Sequence, residues 1–218
     1  MVKEAGYKPL DMKTWARTPY YNYYAHGSKG MCAVTAELDI SALAKKCGNE
    51  NIFVPLLYAI TKTINSRQEF RVGYCKENGE LMIWDYVSPI HRVFHPATET
   101  FTRVCTEWKE DYASFAKGAE ADIAKGEKST ALNAEEFPES VFEVSYVPWL
   151  HYSSVNMKMS ESGKYLAPIV TIGKAQEISG AVNIPLTMQI SHAVADGFHI
   201  ARFFEEVKKE SEALAASL

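Results

Sequence analysis

The segment Ser191-His192-Ala193-Val194-Ala195-Asp196-Gly197 places a histidine four residues ahead of an aspartate, and glycine follows at once. Neutral imidazole can take a proton near pH 7, because its ordinary pKa is about 6.5. A nearby carboxylate can orient the ring, raise its basicity, or pair with an arginine from elsewhere. The same pattern has a plainer reading. Asp196 can simply cap a helix, with His192 a satisfied histidine at a strand end. The elements on either side must position the pair. Ile184 to Ile190 alternates as a strand does, and Ile200, Phe203, Phe204 and Val207 recur at helical spacing. The pair therefore sits at a strand-to-helix junction, where side chains can face a cleft. That context, the following glycine and a second histidine at position 199 favour a functional role.

Other chemistry is poorly supported. His91 and His95 have a spacing that binds metal on a helix, but prolines 89 and 96 bracket them and the composition suits a strand. Residues four apart on a strand are roughly 13 Å apart, too far to share an ion. No metal site is expected. The chain contains no Gly-x-Gly-x-x-Gly, no phosphate-binding Gly-x-x-x-x-Gly-Lys and no Gly-x-Ser-x-Gly elbow. Its four cysteines (Cys32, Cys47, Cys75, Cys105) are scattered and read as free thiols. A net charge of -4 without a basic tract argues against nucleic acid. No apolar run approaches the roughly 20 residues that span a bilayer. The N-terminus lacks a signal-peptide core, so a cytoplasmic protein is expected.

The 218 residues suffice for one domain, read as 1–218, with no linker or repeat. A short helix is expected over Asp11 to Arg17, and a strand over Ala33 to Ile40. Helices are expected over Ala42 to Lys46, Pro55 to Ile64 and Asp111 to Lys125. A hairpin is expected around Asn78-Gly79, joining Arg71–Cys75 to Leu81–Trp84. Further strands are expected at Ile90–Phe94, Thr100–Glu107, Phe142–Val147 and Ala167–Lys174. Strands and helices mixed along the chain predict an α/β layer architecture whose sheet is not purely parallel. Tyr20-Tyr21-Asn22-Tyr23-Tyr24 is an unusual cluster. It reads equally as packing at a core edge or subunit contact and as the wall of a small-molecule pocket.

The segment from His192 through Asp196-Gly197-Phe198-His199 resembles the chloramphenicol acetyltransferase family, although lipoyl-dependent acyltransferase domains share that motif. Trp15-Ala16-Arg17, Thr98-Glu99-Thr100-Phe101, Ser145-Tyr146-Val147-Pro148-Trp149 and Ala167-Pro168-Ile169-Val170-Thr171 tighten the match, in the family's order. The resemblance implies a two-layer α/β sandwich, with a mixed sheet covered by helices. It implies a homotrimer with active sites between subunits, acetyl-CoA as co-substrate and a hydroxyl acceptor such as chloramphenicol.

By position it makes His192 the general base and Ser145 the oxyanion donor. Thr171 would act through water, and Asp196 would pair with Arg17. Tyr23, Tyr24, Phe101, Phe137, Val155, Met157, Met159 and Ile169 would line the acceptor site. Trp149 and Lys174 would contact CoA. Some positions depart from the family. Ser191 stands where a second histidine is common, and Ala195 where a cysteine is common. Gly30 lies near another such cysteine. Val155, Met157 and Met159 replace a phenylalanine and smaller aliphatics, and Ile52 replaces a basic residue. These changes leave a different alcohol acceptor, or a silent ligand-binding trimer, as alternatives.

Overall fold

The computed structural model describes residues 2–157 and 165–218. Its centre is a seven-stranded mixed sheet in the order β2-β10-β8-β7-β5-β6, with β9 also on β10. The strands are β2 (Met31–Asp39), β5 (Ser88–His95), β6 (Thr100–Cys105), β7 (Val141–Tyr146), β8 (Ile169–Ile172), β9 (Gln176–Ile178) and β10 (Ala181–Ser191). The β5–β7 and β7–β8 pairs are parallel, and the remaining pairs are antiparallel. The helices are α1 (Thr18–Tyr21), α2 (Ser41–Cys47), α3 (Phe53–Asn65), α4 (Tyr112–Glu127) and α5 (Gly197–Ser217).

Strand alternation sends Val144, Val170, Ile172, Leu186, Met188 and Ile190 into one core. There they join Leu56, Leu57, Ile60 and Ile64 of α3 and Ile200, Phe203 and Val207 of α5. Fully burying each such side chain is worth roughly 1.5–3 kcal/mol. On α4, a Cβ at Gly126 would lie 2.7 Å from Val93 Cγ2 and 2.9 Å from Val104 Cγ1. Only glycine allows the helix this close to β5 and β6. The alternate positions of the strands point away from that core, and they carry the polar groups described below. This is the expected helix-covered mixed sheet.

Three local expectations need correction. Asp11 to Arg17 is not helical. The Asp11 carboxylate accepts from Lys13 N at 2.9 Å and Thr14 Oγ1 at 2.9 Å, a side-chain turn that competes with helix formation. The helix begins at Thr18, with Pro19 in its first turn. The hairpin of β3 (Val72–Tyr74) and β4 (Leu81–Trp84) does not join the main sheet. It pairs with β1 (Tyr7–Pro9) in a separate antiparallel sheet of order β1-β4-β3. Its turn is also wider than a two-residue one, because Cys75 N bonds Glu80 O while Tyr74 pairs with Leu81. Among the described residues, no helix is long and apolar enough to cross a membrane.

Candidate active site

His192 follows the last residue of β10. Its backbone N–H donates to Gly30 O at 2.9 Å, which ties it to the chain entering β2. Its ring stacks on Tyr24, with centroids 3.9 Å apart and planes 6° apart. Tyr24 belongs to a π-helical turn over Asn22–Ser28, a rare geometry that recurs at functional sites. The imidazole Nδ1 is buried with no hydrogen-bond partner among the described residues. Tyr23 is exposed and meets Tyr24 edge-on. Tyr24 thus lies against the histidine, while Tyr21 packs inward and bonds Tyr74. Tyr21 therefore carries the core-edge packing reading of the tyrosine cluster.

Asp196 is the N-cap of α5, its carboxylate accepting from Phe198 N at 3.1 Å. It also receives Arg17 Nη1 at 2.9 Å and lies 2.8 Å from His199 Nδ1. Partial burial would raise its pKa, but the bonds from Arg17 and His199 outweigh that and hold it at about 2. The second Arg17 nitrogen donates to the His192 carbonyl at 3.2 Å. One guanidinium therefore bridges the His192 main chain and the Asp196 carboxylate. Among the described residues, no hydrogen bond joins Asp196 to the His192 ring, so the two form a framework rather than a dyad. The expected cap and the expected pairing with Arg17 are both present.

Ser145 and Thr171 lie elsewhere. Ser145 is opposite Thr171, Thr171 opposite Thr187, and Thr187 opposite Thr35, so four hydroxyl residues cross the sheet in one row on one face. Thr187 is five positions before His192. Two strand spacings across the sheet and five residues along it then separate Ser145 from His192 of the same chain by about 20 Å between Cα atoms. A hydrogen bond needs about 3 Å. One chain cannot bring its own Ser145 to its own His192.

The remaining expected site residues are dispersed. Phe101 is exposed on β6, opposite Phe94 and under Arg92, and Trp149 meets Phe94 edge-on at 4.7 Å. Ile169 is buried between Glu143 and Gln189. Val155 is half-buried and Met157 exposed. Met159 lies outside the described residues. Lys174 is exposed, its backbone N–H bonded to Leu150 O. Phe137 sits below Arg103 and lines a cavity of about 490 Å³ between the two sheets, with Val72, Tyr74, Trp84 and Tyr165. Among the described residues, no other expected site residue lines that cavity. Ile52 is buried in the core, so that position offers no surface for a phosphate. His91 is buried and bonds Thr106, and His95 bonds Thr102. Burial first, then the Arg92 charge, pushes the His91 pKa down to about 3. Among the described residues, no group of three or more His, Cys, Asp or Glu could hold a metal ion.

The chain matches the profile described as chloramphenicol acetyltransferase over residues 5–208. It belongs to the chloramphenicol acetyltransferase family. A relative from Campylobacter coli is 36% identical over 200 residues, 91% of this chain and 95% of its own length. One from Vibrio anguillarum is 33% identical over 209 residues, 95% of each chain. Both are named chloramphenicol acetyltransferase. A solved chloramphenicol acetyltransferase shares the fold, with a TM-score of 0.82 at 19% identity over 94% of this chain and 99% of that one. An Azotobacter vinelandii dihydrolipoamide acetyltransferase has a TM-score of 0.63 at 16% identity over 96% and 97%.

Within this acetyltransferase framework, two residues near the site take roles that the sequence did not assign. Gln189 exchanges two bonds with Met157, receiving its N–H at 2.9 Å and donating to its carbonyl at 2.6 Å. A buried glutamine one strand pitch before the His motif was the available signal. His199 completes a capping box with Asp196, its Nδ1 3.2 Å from Asp196 N. The aspartate-to-histidine spacing of three, at a helix start, was its signal.

Proposed function

We propose that this protein transfers an acetyl group from acetyl-CoA to a hydroxyl of chloramphenicol, in a homotrimer whose active sites are completed between subunits. The carrying observation is the separation just derived. His192 is held ready in its framework, yet Ser145 and Thr171 of the same chain are out of reach, so a second copy must present them. His192 takes the acceptor hydroxyl proton at Nε2, since Nδ1 faces the interior. The acceptor oxygen then attacks the thioester carbonyl carbon. The Ser145 hydroxyl of the neighbouring copy donates to the developing oxyanion, and its Thr171 holds a water there. The tetrahedral adduct collapses with cleavage of the carbon–sulfur bond, and CoA thiolate recovers the proton from the imidazolium.

Arg17 and Asp196 fix the His192 backbone and carry no proton. Tyr24 supports the ring face, and acceptor contacts come from Tyr23, Phe101, Val155, Met157 and Ile169. Trp149 and Lys174 would meet CoA. A mixing experiment tests the shared site. His192→Ala oligomers are expected to lack acetyl transfer, and Ser145→Ala oligomers to keep about a hundredth of it or less. Co-refolded mixtures should regain CoA-thiol release, because some interfaces pair an intact His192 with an intact Ser145. Inactive mixtures that still assemble would refute it.

One observation favours a different alcohol as the natural acceptor. A Cβ at Gly30 would stand 3.8 Å from Tyr24 Cδ1 and 3.9 Å from His192 Cβ, so glycine leaves free space beside the reacting ring. A panel of alcohols with thiol-release readout separates the two readings by their kcat/KM.

A further inference from the structure

The segment from Pro148 to Tyr152 leaves β7 and folds back over the end of β8. Five hydrogen bonds fasten it. Lys174 N donates to Leu150 O at 2.9 Å. His151 Nδ1 lies 2.9 Å from Lys174 O, and His151 Nε2 lies 3.1 Å from Glu37 Oε1 on β2. The Tyr152 hydroxyl donates to Thr171 O at 2.7 Å and accepts from Thr187 Oγ1 at 3.2 Å. Thr187 Oγ1 in turn lies 2.6 Å from Thr35 Oγ1. Each hydroxyl can donate once, in one direction, from Thr35 to Thr187 to Tyr152 to Thr171. The segment needs Gly173 beneath it. A Cβ there would lie 2.8 Å from Tyr152 Cε1, 3.1 Å from Leu150 O and 2.5 Å from Pro185 Cγ.

The two partners of His151 are both acceptors. A main-chain carbonyl and a carboxylate have no proton to give, so both ring nitrogens must donate, and only the imidazolium has two N–H groups. A neutral ring would turn a lone pair onto one of the two oxygens. The groups that face the ring are the Glu37 carboxylate from β2 and the carbonyl of Lys174, whose ammonium is on an exposed side chain. The adjoining Tyr152 phenol uses its proton on Thr171.

We propose that His151 and Tyr152 are positioning residues for acetyl transfer: Tyr152 sets the strand carrying Thr171, and His151, as an imidazolium, holds the Trp149 and Lys174 side of the CoA site. The inference rests on the acetyl-transfer reading above. It is tested by titrating CoA into the intact protein between about pH 5.5 and 8.5, alongside steady-state kinetics. The unaltered protein is expected to bind CoA about tenfold more weakly at the alkaline end, the effect of one lost charge-assisted bond. His151→Gln should stay weak at every pH. Glu37→Gln should stay tight at every pH, because its amide can donate to Nε2 of a neutral ring. Tyr152→Phe should lower kcat about tenfold, with the acceptor KM unchanged. CoA binding in which His151→Gln or Glu37→Gln tracks the unaltered curve overturns the role of His151. An unchanged kcat in Tyr152→Phe overturns the role of that hydroxyl. If the unaltered protein binds no CoA, the acetyl-transfer reading falls and takes this one with it.

Discussion

Replacing Asp196 by asparagine removes its charge and keeps its shape and its ability to cap α5. The folded state holds this carboxyl at about 2 against an ordinary 3.8. At 1.36 kcal/mol per pKa unit, that difference is worth roughly 2.5 kcal/mol. The side chain is 35% exposed, and solvent screening reduces the figure to about 1–1.5 kcal/mol. The lowered pKa fixes the sign. Below about pH 4 the unfolded chain takes up the proton first, so the contribution is complete above that pH and disappears as pH falls towards about 2. Asp196→Asn is therefore expected to melt about 2–6 °C lower at neutral pH, measured at fixed protein concentration because assembly also contributes. Asp196→Ala also loses the cap at Phe198 N and should cost about 1 kcal/mol more. Arg17 would release the His192 carbonyl in both variants, and misplacing the base should lower kcat about 10- to 100-fold. A melting gap between the unaltered protein and Asp196→Asn that persists undiminished at pH 3, or that is absent at pH 7, would refute the reasoning.

Ser145→Ala should lower acetyl transfer roughly 10²-fold or more, with little change in acceptor KM, if its hydroxyl serves the oxyanion; stopped-flow thiol release reads this directly. Gly126→Ala forces a methyl group into Val93 and Val104 and should destabilise by about 1–3 kcal/mol in urea melts. His91 stays neutral when folded but takes a proton when unfolded, so it should make stability fall as pH drops below about 6.5. His91→Gln should remove up to about 1.4 kcal/mol per pH unit from that slope, as urea midpoints between about pH 4.5 and 6.5 would show.

Much of the fold was legible because its signals are local. Alternation along Ile184 to Ile190 and helical spacing from Ile200 to Val207 mark faces that must be buried whatever they meet. Asp196 before a glycine marked a cap, and the structure shows that cap. Other signals failed because a competing interaction lay within reach. Asp11 bonded its own following backbone and prevented the expected helix. The β3–β4 hairpin had correct local pairing but found β1 instead of the large sheet, a choice that alternation does not encode.

The sequence by itself determined the motif residues, their order and the family. It also placed Arg17, although 179 positions from Asp196, through its motif. Only the tertiary structure decided how those groups divide in space. Arg17, Asp196 and His192 meet because β10 ends where the chain entering β2 passes. Thr171 and Ser145 share a row one and two strands across from β10 and several residues along it, because register is set by the whole sheet. The physical reason is that side-chain chemistry is a property of residue type. Distance between groups far apart in the chain is a property of packing.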